Sequence, residues 1–200
     1  MVLDNLKDGP PQRSRLAATP MGRQIGGMAS VIFFRAANVG GHQVFQPGAL
    51  AKELAAFGVR NLGAAGTFVV LEKISAVKLR AEIERRLPFK SELMIYPERE
   101  VLQLVAGDPF HDAPAGDDVT RYVSVLPKAL HPVPALPLDF PTPDTWEVKI
   151  HRISGPFVLC VQRPGKKKLY PNAVVERHFD LAATTRNWNT FVKIAAALKT

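Results

Sequence analysis

An α+β chain of two similar subdomains is what this sequence predicts, and three observations carry the prediction. Apolar runs of strand and helix period alternate regularly between residues 30 and 96. A second alternation begins at "TRYVSVLP" and closes on an apolar helix. The stretches between these runs are dense in Pro, Gly and Asp, which interrupt elements rather than continue them. The chain has 200 residues, enough for one ordinary domain or two small ones sharing a core. With 46% hydrophobic and 22% charged residues, most of it has the composition to fold.

Taken in order, residues 1–28 combine Pro-Pro, scattered Gly and little periodicity, the pattern of a disordered extension, with an alternative start at Met28 left open. "SVIFFRAANV" is β-branched and aromatic, a buried strand. "PGALAKELAAFG" opens with Pro47 near a helix N-terminus, sets Leu50, Leu54 and Phe57 on one face, and stops at Gly58. "VRNLGAAGTFVVLE" gives two short strands around a Gly/Ala kink. "SAVKLRAEIERRL" starts at Ser75 as N-cap, turns Val77, Ile83 and Leu87 inward, and ends before Pro88. "SELMIYP" is a further strand. This βαββαβ order is that of a ferredoxin-like subdomain, residues 29–97, with an antiparallel sheet and both helices on one face.

Residues 98–200 form the second α+β subdomain. "EREVLQLVAGDPF" is a short helix ended by Gly107, and "HDAPAGDD" an exposed acidic turn. Residues 127–145 are so rich in proline that a surface connection, partly polyproline II, is expected there in place of regular structure. "WEVKIHRI" and "PFVLCVQRP" flank Ser154-Gly155 as a hairpin. A basic loop, a short helix and a closing helix from about Arg186 to Leu198 follow. The closing helix is expected to place Trp188, Phe191, Val192 and Ala195 on one face, with Thr184 or Thr185 as its cap.

Charge separates the parts. The formal net charge is +8. Residues 146–200 hold 10 Lys and Arg against 3 Asp and Glu, a net +7, whereas residues 29–145 are close to neutral. A basic surface of this kind favours anionic partners: a nucleotide, a nucleic-acid backbone or an acidic protein. The lone cysteine, Cys160, sits in the apolar run "PFVLCVQ", which marks a buried, inert thiol and fits a reducing, cytosolic setting. No apolar stretch reaches the length of a membrane span, so no membrane partner is expected.

Three stretches can carry chemistry. In "RAANVGGHQ", Asn38, Gly40 and Gly41 lie at a strand-to-helix turn whose backbone N–H groups can meet an anion. Arg35 stands at the end of an apolar strand, where a charge calls for a partner, a carboxylate of the protein among the options. "GKKKLYPN" presents Lys166, Lys167 and Lys168 on one loop, either a solvated turn or a salt-sensitive phosphate contact. "TTRNWNT" concentrates donors and acceptors beyond the needs of one cap, with Arg186 in the first helical turn, where the helix field disfavours a cation. Asn187, Trp188 and Asn189 complete it, as a lock on the last helix or as a ligand contact. His42, His111, His131, His151 and His178 show no metal-ligand spacing, and there is no Gly-x-Ser-x-Gly elbow. No catalytic residue, metal or cofactor is called for, and oligomeric state is open.

"FFRAANVGGHQV", "TRYVSVLP" and "TTRNWNTFVKIAAAL", in this order over residues 30 to 200, resemble the bacterial proteins grouped as domain of unknown function 1697. The closing motif is the most specific of the three. The resemblance implies an α+β protein with ferredoxin-like subdomains and supplies neither an activity nor a catalytic residue. The family tends to read Arg-Gly-Ile-Asn-Val-Gly-Gly where this chain has Arg35-Ala36-Ala37-Asn38-Val39-Gly40-Gly41, and Ser-Gly-Asn where it has Ala65-Gly66-Thr67. This is the pattern of a diverged member. The leading expectation is a non-enzymatic binding protein whose site joins Asn38, Gly40 and Gly41 to the turn at Arg186 to Asn189, rimmed by the three lysines. One rival is a small-molecule enzyme gripping a carboxylate or phosphate with Arg35 and Arg186. The other keeps every motif structural.

Overall fold

The apolar run after Met28 becomes β1 (Met28–Arg35), whose residues 29 to 34 are all buried. Such a strand must be covered on both faces, and it is. The computed structural model describes residues 28–35 and 46–199. The expected disordered tail, apart from Met28, and the turn with Asn38, Gly40 and Gly41 lie outside the described residues.

The protein is α+β, with two antiparallel sheets and five α-helices among the described residues. The first sheet has the order β2-β3-β1-β4, with β2 (Val59–Asn61), β3 (Thr67–Ile74) and β4 (Glu92–Pro97). On one face lie α1 (Pro47–Glu53) and α2 (Ala76–Glu84). There Ile32, Phe34, Phe68 and Val70 pack with Leu50, Leu54, Leu79 and Ile83. The expected N-cap at Ser75 forms, whereas α1 ends at Glu53 and a separate 3-10 turn over Ala55–Phe57 carries the chain on to Gly58. The Ser75 hydroxyl accepts the Lys78 N–H at 3.3 Å, and Gly58 adopts φ +62°, which needs the absence of a Cβ. Val77 is a correction: it is 82% exposed, and Leu79 fills the inward position with Ile83 four residues on.

On the opposite face of this sheet, α3 (Glu98–Ala106) and α5 (Trp188–Ala197) separate it from the second sheet. The second sheet has the order β6-β7-β8-β5-β9, from β5 (Thr120–Val125), β6 (Leu138–Phe140), β7 (Val148–Ser154), β8 (Phe157–Gln162) and β9 (Thr184–Asn187). Val31, Phe33, Val69 and Met94 from one sheet and Val123, Val125, Phe157 and Leu159 from the other close on Val101, Leu104, Phe191 and Ile194. Phe33 stacks on Phe191 at 5.4 Å in this shared core. The Tyr96 hydroxyl donates to the Leu126 carbonyl, a polar tie across it. The outer face of the second sheet carries α4 (Pro171–Phe179) over Ile150, Val158 and Cys160, beside Leu136, Leu138 and Phe140 of the proline-rich connection.

The hairpin at Ser154-Gly155 forms as read, with Gly155 at φ +56° between β7 and β8. Two readings need correction. The proline-rich connection is not wholly irregular, since β6 pairs with β7. The residues before Trp188 are not helical: they form β9, an edge strand paired antiparallel to β5. Two adjacent β-branched residues suit a pleated edge better than a helical turn. The cap of α5 is therefore Asn187, whose side-chain oxygen accepts the Asn189 N–H at 2.9 Å, and neither Thr184 nor Thr185. Val192 is 46% exposed, and Phe191, Ile194 and Ala195 are the buried residues of the helix.

Candidate functional site

The period of two in β9 sends Thr184 and Arg186 to the inter-sheet side and leaves Thr185 and Asn187 on the other. Arg186 is only 7% exposed, and every one of its five N–H groups has an acceptor. Its Nε donates to Thr67 Oγ1 at 2.7 Å. Its Nη1 donates to Thr184 Oγ1 at 2.7 Å and to the Thr185 carbonyl at 3.0 Å. Its Nη2 donates to the Phe34 carbonyl at 2.9 Å and the Ala65 carbonyl at 2.6 Å. None of these partners is a carboxylate, and burial pushes the pKa down to about 10. The Thr184 hydroxyl donates to the same Phe34 carbonyl at 3.0 Å. Arg186 thus fastens β9 of the second sheet to the end of β1 and the turn before β3 in the first. It does not stand in the first turn of a helix.

Arg35, one residue beyond that carbonyl, has the carboxylate partners its position called for. Its Nε donates to Glu176 at 2.9 Å and its Nη1 to Glu92 at 3.1 Å. Burial alone would lower its pKa, but the hydrogen bond and charge of Glu176 and the charge of Glu92 raise it. The Glu176 oxygen also accepts the Ala183 N–H at 2.9 Å, so α4 and the approach to β9 are held together there.

The loop of Lys166, Lys167 and Lys168 does enclose an anion, and the anion is internal. Glu147, 5% exposed, accepts the Lys167 N–H at 2.5 Å and the Leu169 N–H at 3.0 Å. Burial alone would raise its pKa; the N–H groups of Leu169, Lys167 and Lys168 outweigh that and hold it lowered. A Cβ on Gly165 would overlap the same carboxylate. The three ammonium groups are left exposed. The sequence reading missed Glu147, although it is one of only three acids in the basic quarter of the chain.

Asn187, Trp188 and Asn189 line a cavity of 340 Å³ with Thr120 and Arg121 and the loop at Ala115 and Gly116. Arg121 was also missed, because a charge alternating with Thr120 and Tyr122 reads as the wet side of a strand. Its guanidinium lies over the Phe110 ring at 5.7 Å. Phe110 meets Trp188 edge-on at 5.2 Å, and Trp188 stacks on Phe191 at 6.0 Å. A line of rings therefore runs from the shared core to one cation at the cavity wall. Lys168 lines a different cleft, of 490 Å³, beside α4. Asn187 to Asn189 and Lys168 of the expected lysine rim thus line separate hollows, and the turn with Asn38, Gly40 and Gly41, to which the sequence reading joined the former, lies outside the described residues.

Cys160 is fully buried, and its thiol is pushed up to about 12, so it is inert as expected. Among the described residues, no cluster of three His, Cys, Asp or Glu could hold a metal ion, and no helix is long and apolar enough to cross a membrane.

These features define an α+β protein whose two antiparallel sheets are locked by a buried arginine. Residues 28–152 match the family model described as "Protein of unknown function (DUF1697)", and the chain belongs to that family. The matched range ends inside β7, so it takes in Arg35 and Arg121 and stops short of the basic loop and Arg186. No curated protein and no solved structure matches the chain significantly.

Proposed function

We propose that the chain is a non-enzymatic cytosolic binding protein that takes a small anion, a carboxylate or phosphate, in the cavity walled by Arg121, Thr120, Asn187, Trp188 and Asn189. The observation that carries this reading is Arg121. Its guanidinium carbon lies over the Phe110 ring at 5.7 Å, and it has neither a carboxylate nor a hydrogen-bond acceptor among the described residues. A guanidinium held over a ring, with no internal acceptor among the described residues, has its N–H donors to offer a planar anion. The Asn187, Asn189 and Thr120 side chains add hydrogen-bonding groups, and the N-terminus of α5 adds a favourable field. Asp117 and Asp118, exposed just before Thr120 in the chain, oppose a long polyanion more than a small one. On the same reading residues 28–97 are a ferredoxin-like unit, which the order β2-β3-β1-β4 and the βαββαβ sequence of elements support. A joint grip on substrate by Arg35 and Arg186 finds no support, because both guanidiniums are already engaged within the protein.

Calorimetric titration of the intact chain with inorganic phosphate, succinate and adenosine monophosphate tests this. At least one is expected to bind saturably and more weakly as salt rises, with a loss of about tenfold or more in Arg121→Ala. Absence of binding by all three, or an unchanged affinity in the variant, overturns the reading. The net +7 of residues 146–200 favours a second reading, in which Lys166, Lys167 and Lys168 meet a nucleic-acid backbone. Replacing all three by Ala would then weaken oligonucleotide binding and leave the small anion untouched.

A further inference from the structure

We infer that the cleft between α4 and the end of the proline-rich connection is a second ligand site, separate from the Arg121 cavity, for a planar aromatic ring bearing an anionic group. The cleft has a volume of 490 Å³, the size that encloses a small organic molecule. Its walls are apolar: Phe140, Leu169, Val174 and the ring of Tyr170. Tyr170 is 65% exposed, an unusual fate for an aromatic beside a hydrophobic hollow, and a bound ring would cover it. Phe140 is held edge-on to His178 at 5.4 Å, which offers a ring face and a ring edge to an aromatic guest.

The rim supplies the sign of the charge. Lys168 and Arg177 line the cleft, and neither side chain has an ion-pair partner among the described residues. The carboxylates nearby are occupied: Asp139 by Lys149, Glu147 by the loop N–H groups, and Glu176 by Arg35 and the Ala183 N–H. Asp180 lies past the end of α4 and does not line the cleft. Lys168 is moreover held at φ +53°, a conformation that a side-chain-bearing residue adopts only when its surroundings impose it. The Glu147 carboxylate imposes it by binding the N–H groups on either side. The loop spends backbone strain to keep an ammonium group at the mouth of an apolar hollow. An aromatic carboxylate, sulfonate or phosphate satisfies both halves of that arrangement.

The test uses 8-anilinonaphthalene-1-sulfonate as probe on the full chain, followed by fluorescence and calorimetry. Saturable binding at one site per chain is expected. Ala173→Trp places a bulky ring into the cleft from an exposed position and is expected to abolish that binding while the thermal unfolding midpoint holds. Lys168→Gly combined with Arg177→Ala is expected to weaken it about tenfold or more, through loss of the charged contacts. 2-Naphthoate should displace the probe at about tenfold lower concentration than the neutral 2-naphthalenemethanol. Unchanged binding in Ala173→Trp, equal displacement by the neutral compound, or loss of the probe in Arg121→Ala would each overturn the assignment.

Discussion

Arg186 carries a full charge into a nearly dry position and, among the described residues, is answered by dipoles alone. A guanidinium can be buried this way because its five donors lie in one plane and each can find an oxygen. An ammonium has three donors on a flexible stem and cannot reach the same set. Arg186→Lys therefore leaves carbonyls of Phe34 or Ala65 without a donor, and we expect it to destabilise the fold by about 2–3 kcal/mol in urea unfolding. Phosphate affinity at the Arg121 cavity should not move. A loss of phosphate binding with stability intact would place the ligand at Arg186 instead. The contrast with Arg121 explains what the sequence could reveal here. The surplus of donors in "TTRNWNT" was visible, but their acceptors sit 119 to 152 residues away, at Thr67, Ala65 and Phe34. Arg121 has the same chemistry with no internal acceptor among the described residues, a difference only the fold creates.

At the scale of elements, local rules succeeded where a segment's neighbours are near in sequence. Ser75 caps α2, Gly58 turns the chain after α1, and the hairpin after β7 closes at Gly155. They failed where a distant strand decides. Thr184 to Asn187 are an extended edge because β5 offers a ladder, and a ladder outweighs a modest capping preference. Val77 was misplaced because short helices permit two adjacent apolar stripes, and packing chose the one through Leu79. The basic loop shows the same dependence, since Glu147 organises it from 20 residues away. Its carboxyl is held below the ordinary carboxylate range, so its anchoring is whole above that range and is lost as pH falls through and below it. Hydrogen exchange should find the Lys167 and Leu169 amides protected at neutral pH. Their protection, corrected for intrinsic rates, should decline in acid and drop about tenfold or more in Glu147→Ala at neutral pH. Protection that survives the substitution would mean that the loop holds itself.

For the molecule as a whole, the decisive feature is that neither sheet owns the central core. The sequence predicts a boundary at residue 97, at the end of one βαββαβ run, and carries no sign that Val31, Phe33, Val69 and Met94 face the second sheet across a shared core. Strands buried on both faces look alike whatever covers them. Phe191 marks the join, stacked on Phe33 at 5.4 Å and edge-on to Phe157 at 5.8 Å. Two consequences follow from this geometry. Phe191→Ala should cost about 3–5 kcal/mol and shift the whole transition, so that far-ultraviolet dichroism and tryptophan emission still report one coincident midpoint. A fragment of residues 28–97 expressed alone should fail to give a cooperative melt, because it exposes four large side chains at a cost of about 1.5–3 kcal/mol each. A sharp melt and dispersed amide resonances from that fragment would show that the first sheet is self-sufficient. Arg186 and Phe191 would then be fastening together two finished domains, and the Arg121 cavity, built on β5 and α5, would belong wholly to the second of them.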